Sequence, residues 1–174
     1  MRALWNSLAK WFASSFSKGA ASPSQNVKAE KAVLYQPEPV LAQRVSSVPA
    51  LAEYMKQVEA LVREAFKDST TPEMLDVVLI LKPGGKARAW LVSSLSKPPD
   101  RSQLVERIQK IPTLFVREGP FAFAICTSIA GAQRASHATP GPYLPLPEEW
   151  RAAAQDSAEP LSIPDGIIDK VWKD

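Results

Sequence analysis

The most regular apolar pattern in the chain runs from Leu51 to Phe66. Leu51, Tyr54, Met55, Val58, Leu61, Val62, Ala65 and Phe66 fall at helical steps, while Lys56, Gln57, Glu59, Arg63 and Glu64 take the other side. This spacing predicts an amphipathic helix with Pro49 in its first turn, closed by Thr71-Pro72. The β-branched run Asp76–Lys82 (DVVLILK) then reads as a buried strand. Pro83-Gly84-Gly85 turns the chain into a second strand over Lys86–Ser94, so the two form a hairpin stopped by Lys97-Pro98-Pro99. Asp100 stands three residues before Gln103, a capping-box spacing. It opens a helix with Leu104, Val105, Ile108 and Ile111 on its apolar face, ended by Pro112. After Gly119-Pro120, the large residues Phe121, Phe123, Ile125, Thr127 and Ile129 alternate with Ala122, Ala124, Cys126 and Ser128. That is a strand with its bulky face on a core and its small face beneath a helix or thinly covered.

The predicted order is α-β-β-α-β, an α+β fold with a small three-stranded antiparallel sheet covered by two helices. The last strand is expected at a sheet edge, or paired with something outside the chain. An edge exposes unpaired backbone groups and invites an added strand. Phe121, Phe123, Ile125, Thr127 and Ile129 are therefore the candidate partner-binding residues.

The flanks read differently. Leu4, Trp5, Leu8, Trp11, Phe12 and Phe16 mark one face of an N-terminal amphipathic helix over residues 1–18. So much aromatic area calls for a partner surface, and these six residues are the candidate membrane- or assembly-anchoring set. A membrane interface, a groove on another protein and the chain's own domain all suit them. A secretory signal fits poorly, because Asn6 and Lys10 interrupt its apolar stretch. Residues 19–48 read as a flexible linker, with Pro37 and Pro39 favouring extended backbone. Residues 49–131 form the α+β domain, and 132–174 a proline-rich, acidic extension. That extension carries four prolines within Thr139–Pro147, a short helix from Pro147 or Glu148 to Ala154, and a further amphipathic turn or two at Ile167, Ile168, Val171 and Trp172.

Composition narrows the chemistry. The 174 residues hold sixteen prolines, one cysteine and one histidine, which exclude an internal disulfide, a cysteine-built metal site and the two-histidine metal motifs. No cofactor or metal is implied. His137 sits in a proline-rich connector beside Ser136; a nucleophilic triad would also need an orienting group and oxyanion donors, no nucleophile-elbow glycine pattern surrounds any serine, and the histidine reads as plain surface. Cys126, inside an apolar strand, reads as a packing residue. Pro83-Gly84-Gly85-Lys86 is too short for a phosphate loop, and Glu148 and Glu149 are adjacent and do not face one another. The chain thus reads as a binding module and not an enzyme. The net charge of +3 divides into +4 over residues 1–35, +3 over 36–147 and −4 over 148–174. Lys86, Arg88 and Trp90 share one strand face, the arrangement of a weak single-strand nucleic-acid platform, but no dense basic cluster or recognition motif accompanies them.

Residues 51–129 resemble the C-terminal domains of the TonB and TolA type. The resemblance rests on the element order, the Lys82-Pro-Gly-Gly-Lys86 hairpin, Val92-Ser93-Ser94 at the end of the second strand, the helix ending at Pro112 and the final aromatic-rich strand. It implies a bacterial envelope module at the periplasmic face of a membrane-associated assembly, binding a protein partner through an exposed strand. Such proteins also carry a spanning helix and a long spacer. The tether here, fully extended, reaches no more than about 100 Å at roughly 3.1 Å per residue, so energy transduction is not implied. The resemblance covers about 80 of the 174 residues. A soluble accessory or inhibitor protein that wraps one partner is the alternative, and the sequence leaves a cytoplasmic location and self-association open.

Overall fold

The computed structural model describes residues 26–134, 144–155 and 165–172. The N-terminal aromatic stripe Leu4–Phe16 and His137 lie outside the described residues.

The first described element is a strand the sequence did not announce, β1 (Val27–Leu34), followed by the short helix α1 (Glu38–Arg44). Helix α2 (Val48–Phe66) starts where Ser47 Oγ accepts the Ala50 N–H at 3.2 Å, with Pro49 in its first turn. The hairpin β2 (Glu73–Lys82) and β3 (Lys86–Ser93) turns through Gly84 and Gly85, whose φ angles of +83° and +77° favour residues without a Cβ. Helix α3 (Ser102–Gln109) follows. Its first turn is held one residue away from the expected capping box, by Asp100 Oδ1 accepting the Ser102 N–H at 3.0 Å. Then come β4 (Phe121–Ile129), α4 (Glu148–Ala154) and α5 (Asp165–Val171).

The four strands form one antiparallel sheet in the order β1-β4-β2-β3. This corrects the expected three strands, and it changes the place of β4. Phe121 pairs with Leu81 on one side and Phe123 with Leu34 on the other, so β4 is an interior strand. Strand addition along Phe121–Ile129 is ruled out because both of its edges are already bonded within the chain. The reason lies in β1. Val27, Ala32 and Leu34 pack toward the main core and Ala29 is buried, but the ladder slips between Ala29 and Lys31 at a β-bulge. Their spacing of two, three, two breaks the alternation that would have marked a strand, and the segment read as linker.

Both sheet faces are covered. On the first, α2 and α3 lay Leu51, Tyr54, Met55, Val58, Val62, Leu104 and Ile108 over Leu75, Val77, Leu79, Phe121, Phe123 and Ile125. On the second, the small residues Ala122 and Ala124, with Val78 and Ile80, lie beneath Trp150, Ile167 and Ile168. The segment read as an acidic extension is therefore part of the folded unit where it is described. Polar hooks hold it. Arg44 grips Asp165 through both guanidinium nitrogens at 2.8 and 2.5 Å. Lys82 Nζ donates to the Trp172 carbonyl at 3.0 Å and Arg88 Nη1 to the Val171 carbonyl at 3.1 Å. Tyr35 donates its hydroxyl to the Pro145 carbonyl.

Candidate peptide-binding groove

With β4 interior, the sheet has two outer strands, and they are treated differently. Along β1, Lys28 and Lys31 are exposed and the bulge at Glu30 interrupts the ladder. Charge and a bulge are the usual guards of a sheet edge. Strand β3 instead forms the floor of a groove. One stretch, of about 530 Å³, lies between Ala89 and Leu91 of the strand and Ser102, Val105 and Gln109 of α3, with Glu149 across from them. A second, of about 480 Å³, continues past Trp90 and Val92 to Pro147 and to Glu148 and Arg151 of α4. The free side of β3 thus runs between a wall of α3 and a wall of α4.

The alternation of the antiparallel ladder shows which backbone groups face this groove. Ser94 donates its N–H inward to the Met74 carbonyl at 2.9 Å. Ala89, five residues earlier and of opposite parity, donates outward, to Gln109 Oε1 at 3.1 Å. The N–H and C=O groups of Ala87, Ala89, Leu91 and Ser93 therefore turn to the open side. One end of the groove is braced by a buried network. Glu73, 2% exposed, accepts from both Arg101 terminal nitrogens at 2.6 and 2.7 Å and from Ser93 Oγ at 2.6 Å. The Arg101 guanidinium also lies over the Phe66 ring, 4.8 Å from its centroid.

The other wall is set by Trp90, whose Nε1 donates to Glu149 Oε2 at 3.0 Å. Its ring meets Trp150 edge-on at 5.1 Å, and the Arg88 guanidinium lies 5.0 Å from its centroid. Arg88 and Trp90, which the sequence placed on one strand face beside Lys86, are thus packed against α4 and α5. Phe121, Phe123, Ile125, Thr127 and Ile129 do share one face, but that face is the main core beneath α2. There Phe121 and Phe123 stack at 5.1 Å, and Thr127 Oγ1 donates to the Leu75 carbonyl at 2.7 Å. Sequence reasoning missed the residues of the groove, because strand order is not written in periodicity. A signal was present: β4 carries no charged residue over nine positions, whereas Lys86 and Arg88 stand on β3.

Two other features are accounted for internally. A cleft of about 630 Å³ lies between the end of α2 and the start of α3. Its charged side chains are committed, Arg101 to Glu73, Arg107 to Glu64, Lys67 to Asp68 and Asp100 to Ser102. On the second face, Asp76 is buried and pairs with Arg134 at 2.6 Å. Burial, followed by the Asp76 carboxylate, pushes the neighbouring Cys126 thiol far above the ordinary thiol range, so it stays protonated. Among the described residues no group of three or more His, Cys, Asp or Glu side chains is placed to hold a metal, and no helix is long and apolar enough to cross a membrane. Compared with protein-family models, curated proteins and solved structures, the chain matches none.

Proposed function

We propose that this protein is a non-catalytic interaction domain that takes an extended segment of a protein partner on the outer edge of β3. The partner's backbone would complete the sheet as a fifth strand, with α3 and α4 as the walls around its side chains. The observation that carries this reading is the row of outward backbone groups at Ala89, Leu91 and Ser93 on the floor of a groove, continued at its end by Ala87 of the same parity. In this reading the aromatic stripe Leu4, Trp5, Leu8, Trp11, Phe12 and Phe16 anchors the domain to a membrane-associated envelope assembly. The TonB/TolA-like element order from α2 to β4 supports an envelope role.

Substitution of Ala87 by proline tests the strand-addition part. Proline removes an outward N–H and leaves the inward ladder to β2 intact. Peptides selected against the full chain from a displayed library should bind the variant at least about tenfold more weakly, since a lost backbone bond and a steric block act together. Unchanged affinity would remove β3 as the site. Deleting residues 1–20 should release the protein from its membrane or complex while circular dichroism still reports a folded centre. If localisation does not change, the anchoring claim is wrong.

A further inference from the structure

We infer that the side chain of Gln109 is a removable plug on β3, and that its displacement sets both the register and the strength of strand binding. The inference rests on the strand-addition reading above. Gln109 is the last residue of α3, and its Oε1 accepts the Ala89 N–H at 3.1 Å. A glutamine carboxamide presents a carbonyl oxygen and an N–H pair, the same groups a peptide bond presents. Its oxygen therefore stands where the carbonyl of an incoming strand must arrive. Ala89 is central among the outward positions, and its side chain is buried, which fixes the direction of that N–H.

The two outer strands then use different protection. The charges and bulge of β1 are permanent, whereas a single neutral hydrogen bond from a half-buried side chain can be exchanged. An approaching strand can bond first at Ala87 and Leu91 and then replace the carboxamide at Ala89. The residue it brings opposite Ala89 must supply a free N–H as well as a carbonyl to an antiparallel partner position, so proline is excluded there.

The test uses the full chain and the tightest peptide from a random twelve-residue displayed library. Gln109→Ala should bind that peptide about three- to tenfold more tightly, because no internal bond must be broken. Gln109→Glu should bind it more weakly, because a carboxylate is a stronger acceptor for the Ala89 N–H. A merely structural role for Gln109 would shift both variants the same way. In the free chain, hydrogen exchange at the Ala89 amide should be faster in Gln109→Ala than in the unaltered protein. N-methylation of the peptide, residue by residue, should abolish binding with a period of two. Equal affinity of all three proteins for a peptide that shows this period would overturn the plug and leave strand addition standing. A binder without the period, or a library yielding none, would overturn the strand-addition reading and the plug with it.

Discussion

The two faces of the sheet are covered by different kinds of structure. The first carries α2, nineteen residues with a continuous apolar stripe, and α3, closed around aromatic and branched side chains. The second carries two seven-residue helices, which are too short to be stable alone and are fastened by a cluster that includes Trp90, Trp150 and Trp172 and by a few polar contacts. The first cover rests on the larger apolar area, and the second adds to a smaller apolar cluster hooks such as Arg44–Asp165, Lys82 on the Trp172 carbonyl and Arg88 on the Val171 carbonyl. The difference predicts that the sheet and its first cover form the stable centre, and that the second cover opens first.

The largest effect expected from this contrast comes from truncating matched aromatic residues, Phe123→Ala on the first face and Trp150→Ala on the second. Both side chains are fully buried, and such truncations ordinarily cost about 3–5 kcal/mol. Phe123 touches Phe121 and Tyr54 at the centre of the sheet, so its loss should lower global stability by that full amount in urea unfolding. The loss from Trp150→Ala is capped by the free energy of docking α4 and α5. It should therefore appear as rapid trypsin cleavage at Arg151 and Lys170, with a smaller change in the global midpoint. Equal global losses would show that both covers belong to one cooperative unit.

A smaller effect follows from Asp165→Asn, which weakens the clasp on Arg44. The Asp165 side chain is 44% exposed, so the expected cost is only about 1 kcal/mol, and it should shrink further in high salt. Proteolysis at Lys170 should rise before any change in the far-ultraviolet spectrum. No salt dependence would mean that the Arg44–Asp165 clasp adds nothing to the hold of Ile167, Ile168 and the carbonyl contacts of Lys82 and Arg88.

The smallest effect sharpens the picture of the first face. The Tyr54 hydroxyl is buried without a hydrogen-bond partner among the described residues, and burial pushes its pKa from 10.0 up to about 12. The folded chain keeps that proton while the unfolded chain loses it. Stability should therefore fall as pH rises from 10 toward 12, with a limiting slope of about 1.4 kcal/mol per pH unit. Tyr54→Phe should remove that alkaline limb and raise stability at neutral pH by roughly 1 kcal/mol, since it deletes an unsatisfied buried donor. A melting temperature that drops instead would mean that the hydroxyl is solvated in the native state.

The uneven covers also explain which parts of the fold the sequence revealed. Helix α2, the β2–β3 hairpin and the large-and-small alternation of β4 follow from local periodicity and turn chemistry, and each appears where that pattern places it. The short helix from Glu148 to Ala154 and the turn around Ile167 were equally legible. Their attachment to the small face of β4 was not, because Ala122 and Ala124 signal only that something can approach closely. Strand β1 was hidden by its bulge, and with it went the position of β4. The groove was invisible for the same reason, since Ala87, Ala89 and Leu91 become an open row only once the strand order is known. Gln109 illustrates the limit most plainly. Nothing in its neighbourhood distinguishes it from another polar residue at a helix end, and its role depends on a strand twenty residues upstream.

The second cover also has a consequence for how the chain is born. Synthesis delivers all four strands, and both helices of the first face, before Trp150, Ile167 and Ile168 leave the ribosome. From Ile129 to Ile168 the interval is about forty residues, or roughly 2–8 s at ~5–20 residues per second. Through that interval Val78, Ile80, Ala122 and Ala124 have no lid, and a nascent chain stalled there would present a sticky apolar plane to chaperones or to its neighbours on the same message.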